Sequence, residues 1–90
     1  MSGKHASVKD GTVYVNGKKF IKPAATYSMS SAERSYFVLG NLAAAYQNGH
    51  SKQQATASGG TLYLGPQNIM TPVNGDPSAE ELAAQLNKIK

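Results

Sequence analysis

The sequence predicts a small α+β domain in which an antiparallel sheet of three to five short strands packs against two helices. Three observations indicate this fold class. Two hairpin signals lie close together at 10–11 and 16–17, a capping box precedes a long apolar segment at 31–47, and a helix start signal precedes an amphipathic segment at 77–89. At 90 residues the chain has the size of one small domain. We therefore expect residues 1–90 to form a single domain, without an internal repeat.

The N-terminal segment has the pattern of a three-stranded antiparallel β-meander over about 5–9, 12–15 and 18–22. Asp-Gly at 10–11 and Asn-Gly at 16–17 are typical of two-residue hairpin turns, and the flanking residues favour strands. Because side chains alternate across a strand, the core face is expected to hold Ala6, Val8, Val13, Val15 and Phe20. The opposite face, expected to be wet and basic, holds His5, Ser7, Lys9, Thr12, Tyr14, Lys19 and Ile21.

The next segment predicts a helix over about 31–47, which begins at the capping box of Ser30 and Glu33. Nearly its whole circumference is apolar, and its polar stripe is narrow, consisting of Arg34, Asn41 and Asn48. A helix with this pattern is normally covered on several sides. We expect a chain of this length to leave part of the helix uncovered, so that another protein covers it.

The second half of the chain is less regular. Residues 50–60 have no periodicity and no large apolar side chain, which predicts a long loop. One or two further short strands are predicted at about 61–64 and 68–73, and a second helix at about 77–89 with Asp76 as its N-cap. The expected order is β-β-β-α-β-(β)-α.

The composition argues against most kinds of chemistry. The chain has no cysteine, two histidines that are far apart in sequence, and five acidic residues. Each acid has a structural role available in a turn, a cap or a first helical turn. We therefore expect no metal, no cofactor and no enzymatic activity. No apolar run approaches the roughly 20 residues that span a bilayer, and no signal-peptide pattern occurs, so a cytoplasmic location without membrane contact is expected.

A protein partner is the first functional expectation. Only 16% of residues are charged, against about 25% in typical domains, and tyrosine, phenylalanine and methionine are enriched at interfaces. We expect a homo-oligomer, a component of a larger assembly, or an inhibitor of a host protein, whose interface includes Tyr36, Phe37, Tyr46 and Tyr63. In length, low charge and Ala, Ser, Asn, Gln and Gly content the chain is similar to small phage accessory or virion proteins. That similarity implies host cytoplasm or a virion as its location.

Nucleic-acid binding is the alternative. The net charge is +4, and Lys4, Lys9, Lys18, Lys19 and Lys22 all lie in the first 22 residues. Lysines that surround an exposed aromatic ring on a sheet are typical of single-strand binders, so the candidate site is Lys9, Tyr14, Lys18 and Lys19. The same lysines could instead protect a sheet edge from aggregation. A small-ligand pocket is a third possibility, for which the sequence names no ligand.

Overall fold

The computed structural model describes residues 5–90, and Lys4 lies outside this range. Two three-stranded antiparallel sheets and two helices make up an α+β domain, which confirms the predicted fold class. The elements in chain order are β1 (Ala6–Lys9), β2 (Thr12–Val15), β3 (Lys18–Ile21), α1 (Ser31–Gln47), β4 (Ala55–Ser58), β5 (Thr61–Leu64), β6 (Gln67–Met70) and α2 (Ala79–Ile89).

The first meander forms as predicted, with one difference in register. Asp10 and Asn16 both have φ of 52°, and each precedes a glycine with positive φ, as a type I′ turn requires. Val13 pairs with Ile21 rather than with Phe20, because a β-bulge lies between Val13 and Tyr14. A bulge places two successive residues opposite one. Phe20 and Ile21 are therefore both buried, and the prediction that Ile21 lies on the wet face is wrong.

The predicted loop at 50–60 is wrong over its second half. Residues 55–58 form β4, which pairs with β5 and creates a second meander in place of additional strands on the first sheet. The predicted strand at 61–64 is β5, and the segment predicted at 68–73 contains β6, which ends before Pro72. Four small residues, Ala-Thr-Ala-Ser, build β4, so this strand carries none of the large apolar side chains on which strand prediction depends.

The two meanders are copies of one another, so the expectation of no internal repeat is also wrong. Residues 6–23 and 55–72 correspond at a separation of 49 positions, with the same pairing and the same bulge site. The identical pairs are Ala6 and Ala55, Gly11 and Gly60, Thr12 and Thr61, Tyr14 and Tyr63, and Pro23 and Pro72. The capping boxes that begin the two helices correspond at a separation of 48 positions. The chain is therefore a tandem β-β-β-α repeat.

The two halves share one core because each helix packs on strands of both halves. Helix α1 packs on β1 and β2 of its own half and on β6 of the other, and α2 packs on β4 and β5 of its own half and on β3 of the other. The core cluster includes residues of all eight elements except the largely exposed hairpin tips. The shortest dimension of the molecule is 19 Å, which fits one helix layer on one sheet layer of roughly 10 Å each.

Helix α2 begins two residues later than predicted, and its N-cap is Ser78 rather than Asp76. The Ser78 hydroxyl accepts from the Glu81 amide at 3.1 Å, and the Glu81 carboxylate accepts from the Ser78 amide at 2.9 Å. These hydrogen bonds hold the pKa of Glu81 below its ordinary value. A serine cap with glutamate at the third helical position satisfies two amides at once, which explains why it replaces the aspartate.

Asp76 instead joins the two halves. Its side chain is fully buried and forms a 2.9 Å salt bridge with the almost equally buried Arg34 of α1. Its two carboxylate oxygens also accept from the amides of Ala24 at 2.7 Å and Val73 at 2.9 Å. The Arg34 guanidinium donates to the Ala24 carbonyl at 2.7 Å and to the Thr71 carbonyl at 3.4 Å. Both charges are thus paired and hydrogen-bonded, as burial of an ion pair requires.

Candidate functional site

The exposed side of α1 is the most unusual surface of the described chain. The buried residues of α1 are Arg34, Ser35, Val38, Leu42 and Ala45, which fall on one side of the helix. At 100° per residue, the direction opposite to them is occupied by Glu33 in the first turn and then by Tyr36, Phe37, Gly40, Ala43, Ala44 and Gln47. We call the last six residues the α1 outer face. None of these six is charged, and Glu33 lies at their N-terminal end.

Two aromatic rings project from the N-terminal end of the α1 outer face. Tyr36 is 62% exposed and Phe37 is 66% exposed, and they are two of the four large apolar side chains that the described structure leaves exposed. The other two, Tyr27 and Val73, lie in the connections that precede α1 and α2. Neighbouring exposed aromatic rings are typical of a protein contact surface.

The C-terminal end of the α1 outer face is flat, because its residues are small. Gly40 is exposed, and a Cβ atom built on it would meet no atom within 4 Å. Ala43 and Ala44 follow one turn later and are partly exposed. Tyr36 and Phe37 lie four and three residues before Gly40, and Ala44 and Ala43 lie four and three residues after it. Large and small residues are therefore arranged symmetrically about Gly40.

The matched surface of α2 lacks these properties. At a separation of 48 positions, Tyr36, Phe37 and Gly40 correspond to Ala84, Gln85 and Lys88, all of which are exposed. Gln85 donates from its Nε2 atom to the carbonyls of Lys19 at 3.1 Å and Phe20 at 3.4 Å. Ile69 in β6 is the match of Phe20, and the residue of α1 that hydrogen-bonds to it is Asn41. The Asn41 Nδ2 atom donates to the Ile69 carbonyl at 2.9 Å. Phe37 is therefore not the residue that makes this contact on α1, and most of its ring stays exposed.

A shallow cavity flanks Phe37 on the side of β6. Its volume is about 240 Å³, and its walls include Met29, Asn41, Asn68 and Met70. Met29 is held there by the turn before α1, in which the Thr26 amide donates to the Met29 carbonyl at 2.7 Å and the Met29 amide donates to the Thr26 hydroxyl at 3.0 Å. The cavity extends the apolar surface from Phe37 toward the second sheet.

The structure brings together two of the four residues that we predicted at a protein interface, Tyr36 and Phe37. Tyr46 lies on another side of α1, partly buried against the core and stacked on His5 with 4.8 Å between ring centroids. Burial raises the pKa of the Tyr46 hydroxyl. Tyr63 is partly buried on the outer side of β5, opposite Asn68. The role of all four residues at an interface stays a prediction.

Of the site predicted for nucleic acid, Lys9, Tyr14 and Lys19 lie on the outer side of the first meander, whereas Lys18 pairs with the buried Val15 and lies at the edge of the core side. Lys9, Lys18 and Lys19 are exposed, Tyr14 is partly buried, and Lys19 is the cross-strand partner of Tyr14. Within residues 5–90, the salt bridge that forms joins Arg34 and Asp76, not these lysines. The matched residues of the second meander are neutral, namely Ser58, Tyr63, Gln67 and Asn68. The basic charge therefore distinguishes one copy of the meander from the other.

Two further observations concern the described residues as a whole. Over residues 5–90, no three His, Asp or Glu side chains are grouped so that they could hold a metal ion. In the same range, neither helix has the length and hydropathy of a membrane span. Comparisons with family models, curated proteins and solved structures give no significant match to this chain.

Proposed function

We propose that the protein is a non-enzymatic assembly module that associates with a second copy of itself through the α1 outer face. The observation that carries this proposal is the exposure of Tyr36 and Phe37 on a stretch of α1 surface that has no charge between Glu33 and Gln47 and continues with the small residues Gly40, Ala43 and Ala44. Leaving these rings in water has a cost, since burial of apolar surface contributes about 25 cal/mol per Å². The similarity in composition to phage virion proteins fits an assembly role.

The arrangement of this face favours a two-fold, antiparallel contact. If two α1 helices cross at Gly40, then Tyr36 of one copy meets Ala44 of the other, and Phe37 meets Ala43, since these positions are equally distant from Gly40. A two-fold interface requires this kind of self-complementary surface. Gly40 at the crossing point allows the two backbones to approach closely, as small residues do where helices pack.

Gly40→Lys is the sharpest test of this contact. A lysine is tolerated in the monomer, because the space around Gly40 is open, α2 carries Lys88 at the matched position, and lysine favours a helix more than glycine does. In the proposed dimer, two lysines would meet at the symmetry axis. We expect the dissociation constant to rise roughly a hundredfold, since like charges that face one another in an interface cost several kcal/mol.

The measurement is sedimentation equilibrium over a range of protein concentrations, with thermal unfolding as a check on the fold. Tyr36→Ala with Phe37→Gln, which installs the α2 residues, should likewise give a monomer. The control is Lys88→Gly on α2, which should lower stability slightly and leave association unchanged. A wild-type protein that stays monomeric at high concentration, or a Gly40→Lys variant that associates as the wild type does, would contradict the proposal.

Single-stranded nucleic-acid binding by the first meander is a second candidate function, favoured by the exposed Lys9 and Lys19 beside Tyr14 and by the exposed Lys18 at the adjacent sheet edge. Lys18→Gln with Lys19→Asn gives the first meander the residues of the second. We expect this variant to bind random single-stranded RNA more weakly and with a log–log salt slope smaller by about 1.4, since each lost phosphate contact removes about 0.7. Fluorescence anisotropy between 50 and about 200 mM salt measures both quantities. Equal slopes for the two proteins would rule this function out.

A further inference from the structure

Three segments that are far apart in sequence meet at one end of the molecule. The turn between β2 and β3 contacts the end of α2, where the Asn16 Nδ2 atom donates to the Lys90 carbonyl at 3.0 Å. The start of β3 lies beside the same helix, because Gln85 donates from Nε2 to the Lys19 carbonyl at 3.1 Å. The end of α2 also reaches the connection between α1 and β4, since the Lys90 ammonium donates to the Ser51 carbonyl at 3.2 Å.

Each of these segments carries lysine. We call the following five residues the lysine end: Lys18, Lys19, Lys52, Lys88 and Lys90. The first four are exposed, and Lys90 is partly exposed. Lys88 lies one turn after Gln85, and residues three apart share one side of a helix, so Lys88 is next to the start of β3. The lysine end thus combines charges from both halves of the chain.

The acidic side chains lie elsewhere in the molecule. Asp10 is in the turn at the opposite end of the first meander, and Glu33 is in the first turn of α1. Glu80 and Glu81 are in the first turn of α2, and Asp76 is buried in its ion pair. The lysine end therefore has five ammonium groups against at most one carboxylate, which is the terminal one.

The fold does not require this concentration of charge. The dipole of α2 favours cations near its C-terminus, but it is equivalent to only about half a negative charge there. At the positions of the second copy that match three of the five lysines, the residues are the neutral Gln67, Asn68 and Gly40. The same β-β-β-α unit is thus built without these charges. Mutual repulsion among uncompensated cations is relieved when an anionic partner binds.

We propose that the lysine end binds the phosphate backbone of a single-stranded nucleic acid. The strand runs from the start of β3 across the end of α2 to the connection before β4. Lysine binds phosphate as a point charge, and backbone contacts need no aromatic ring. This inference rests on the second candidate function and changes its site. Lys18 and Lys19 are common to both sites, whereas Lys52 and Lys88 take the place of Lys9 and Tyr14.

Lys52→Gln with Lys88→Gln is the test, because both side chains are exposed and neither belongs to the site predicted from sequence. We expect binding of random single-stranded RNA to weaken roughly 25-fold at about 0.1 M salt. The log–log salt slope should fall by about 1.4, since each lost phosphate contact removes about 0.7. Fluorescence anisotropy over a range of salt concentrations measures both quantities, and thermal unfolding checks the fold of each variant.

Lys9→Gln with Lys22→Gln is the matched control. It removes the same charge from exposed residues at the other end of the first meander, where Lys22 lies beside Gly11. We expect this variant to keep the wild-type slope and an affinity within about threefold of the wild type. Tyr14→Ala should also bind normally, whereas loss of a base stacked on Tyr14 would weaken binding at least about fivefold.

Two results would overturn the inference in different ways. If binding is lost in the Lys9 and Lys22 variant or in Tyr14→Ala, but not in the Lys52 and Lys88 variant, the lysine end is not the site and the second candidate function stands. If the wild-type protein does not bind RNA even at about 50 mM salt, both the inference and that function are wrong.

Discussion

Asp76→Ala is expected to remove most of the stability of the protein, with a loss of about 3–5 kcal/mol in the free energy of unfolding. The substitution leaves the buried Arg34 guanidinium without its partner and removes the acceptor of the Ala24 and Val73 amides. A domain of this size is typically stable by only about 5–10 kcal/mol. The change would cost about 1 kcal/mol if Asp76 were a helix N-cap, so the magnitude tests the role that the structure assigns to it.

Urea unfolding followed by circular dichroism measures this loss. Tyr27→Ala is the control, because it removes a larger side chain from a fully exposed position in the other strand-to-helix connection, where the change should stay within about 0.5 kcal/mol. Adding Arg34→Met to Asp76→Ala should cost little more, since the arginine no longer has a charge to pair with. If the two substitutions add independently, or if Asp76→Ala costs less than about 1 kcal/mol, the buried ion pair does not hold the halves together.

Neither half of the chain is expected to fold alone. Residues 1–50 contain one complete meander and α1, but the core side of α1 also packs on β6, and β3 needs α2. Each separate half would therefore expose an apolar strand and an uncovered part of a helix, and fragments of 50 and 40 residues are close to the size below which chains rarely bury enough surface to fold alone. We expect residues 1–50 and 51–90 to show no cooperative unfolding separately and to fold when mixed.

Equimolar mixing of the two fragments, followed by circular dichroism and sedimentation, tests this expectation. The control is the intact chain with a short Gly-Ser insertion after Lys52, which lies at an exposed position between α1 and β4. That insertion should cost less than about 1 kcal/mol, since lengthening a loop changes its closure entropy only slightly. A cooperatively folded monomer of residues 1–50 would show that the contacts of each helix with the other half are not required for folding.

Signals with a defined local chemistry predicted their elements correctly. The dipeptides at 10–11 and 16–17 allow positive φ at the turn positions, and the Ser30–Glu33 box satisfies two amides at the start of α1. These features depend on a few neighbouring residues, so the sequence alone was sufficient. Asp76 was misassigned because Ser78 competes for the same cap, and because its partner Arg34 is 42 positions away in sequence.

The features that were missed depend on contacts between distant segments. Strand β4 has only small residues and is held by pairing with β5 and by Asn87. The repeat was hidden because substitutions such as Val13 to Leu62 and Ile21 to Met70 keep burial while they change identity.

The internal repeat gives the molecule two copies of one β-β-β-α unit, and the two copies differ in their surface residues. The exposed rings of α1 and the lysines of the candidate nucleic-acid site belong to the first copy. At the matched positions the second copy has Ala84 and Gln85 on its helix and the neutral residues Ser58, Gln67 and Asn68 on its meander. Each surface feature of the first copy can therefore be removed on its own by substituting the matched residue of the second copy. Such a substitution uses a side chain that the same β-β-β-α fold already accepts.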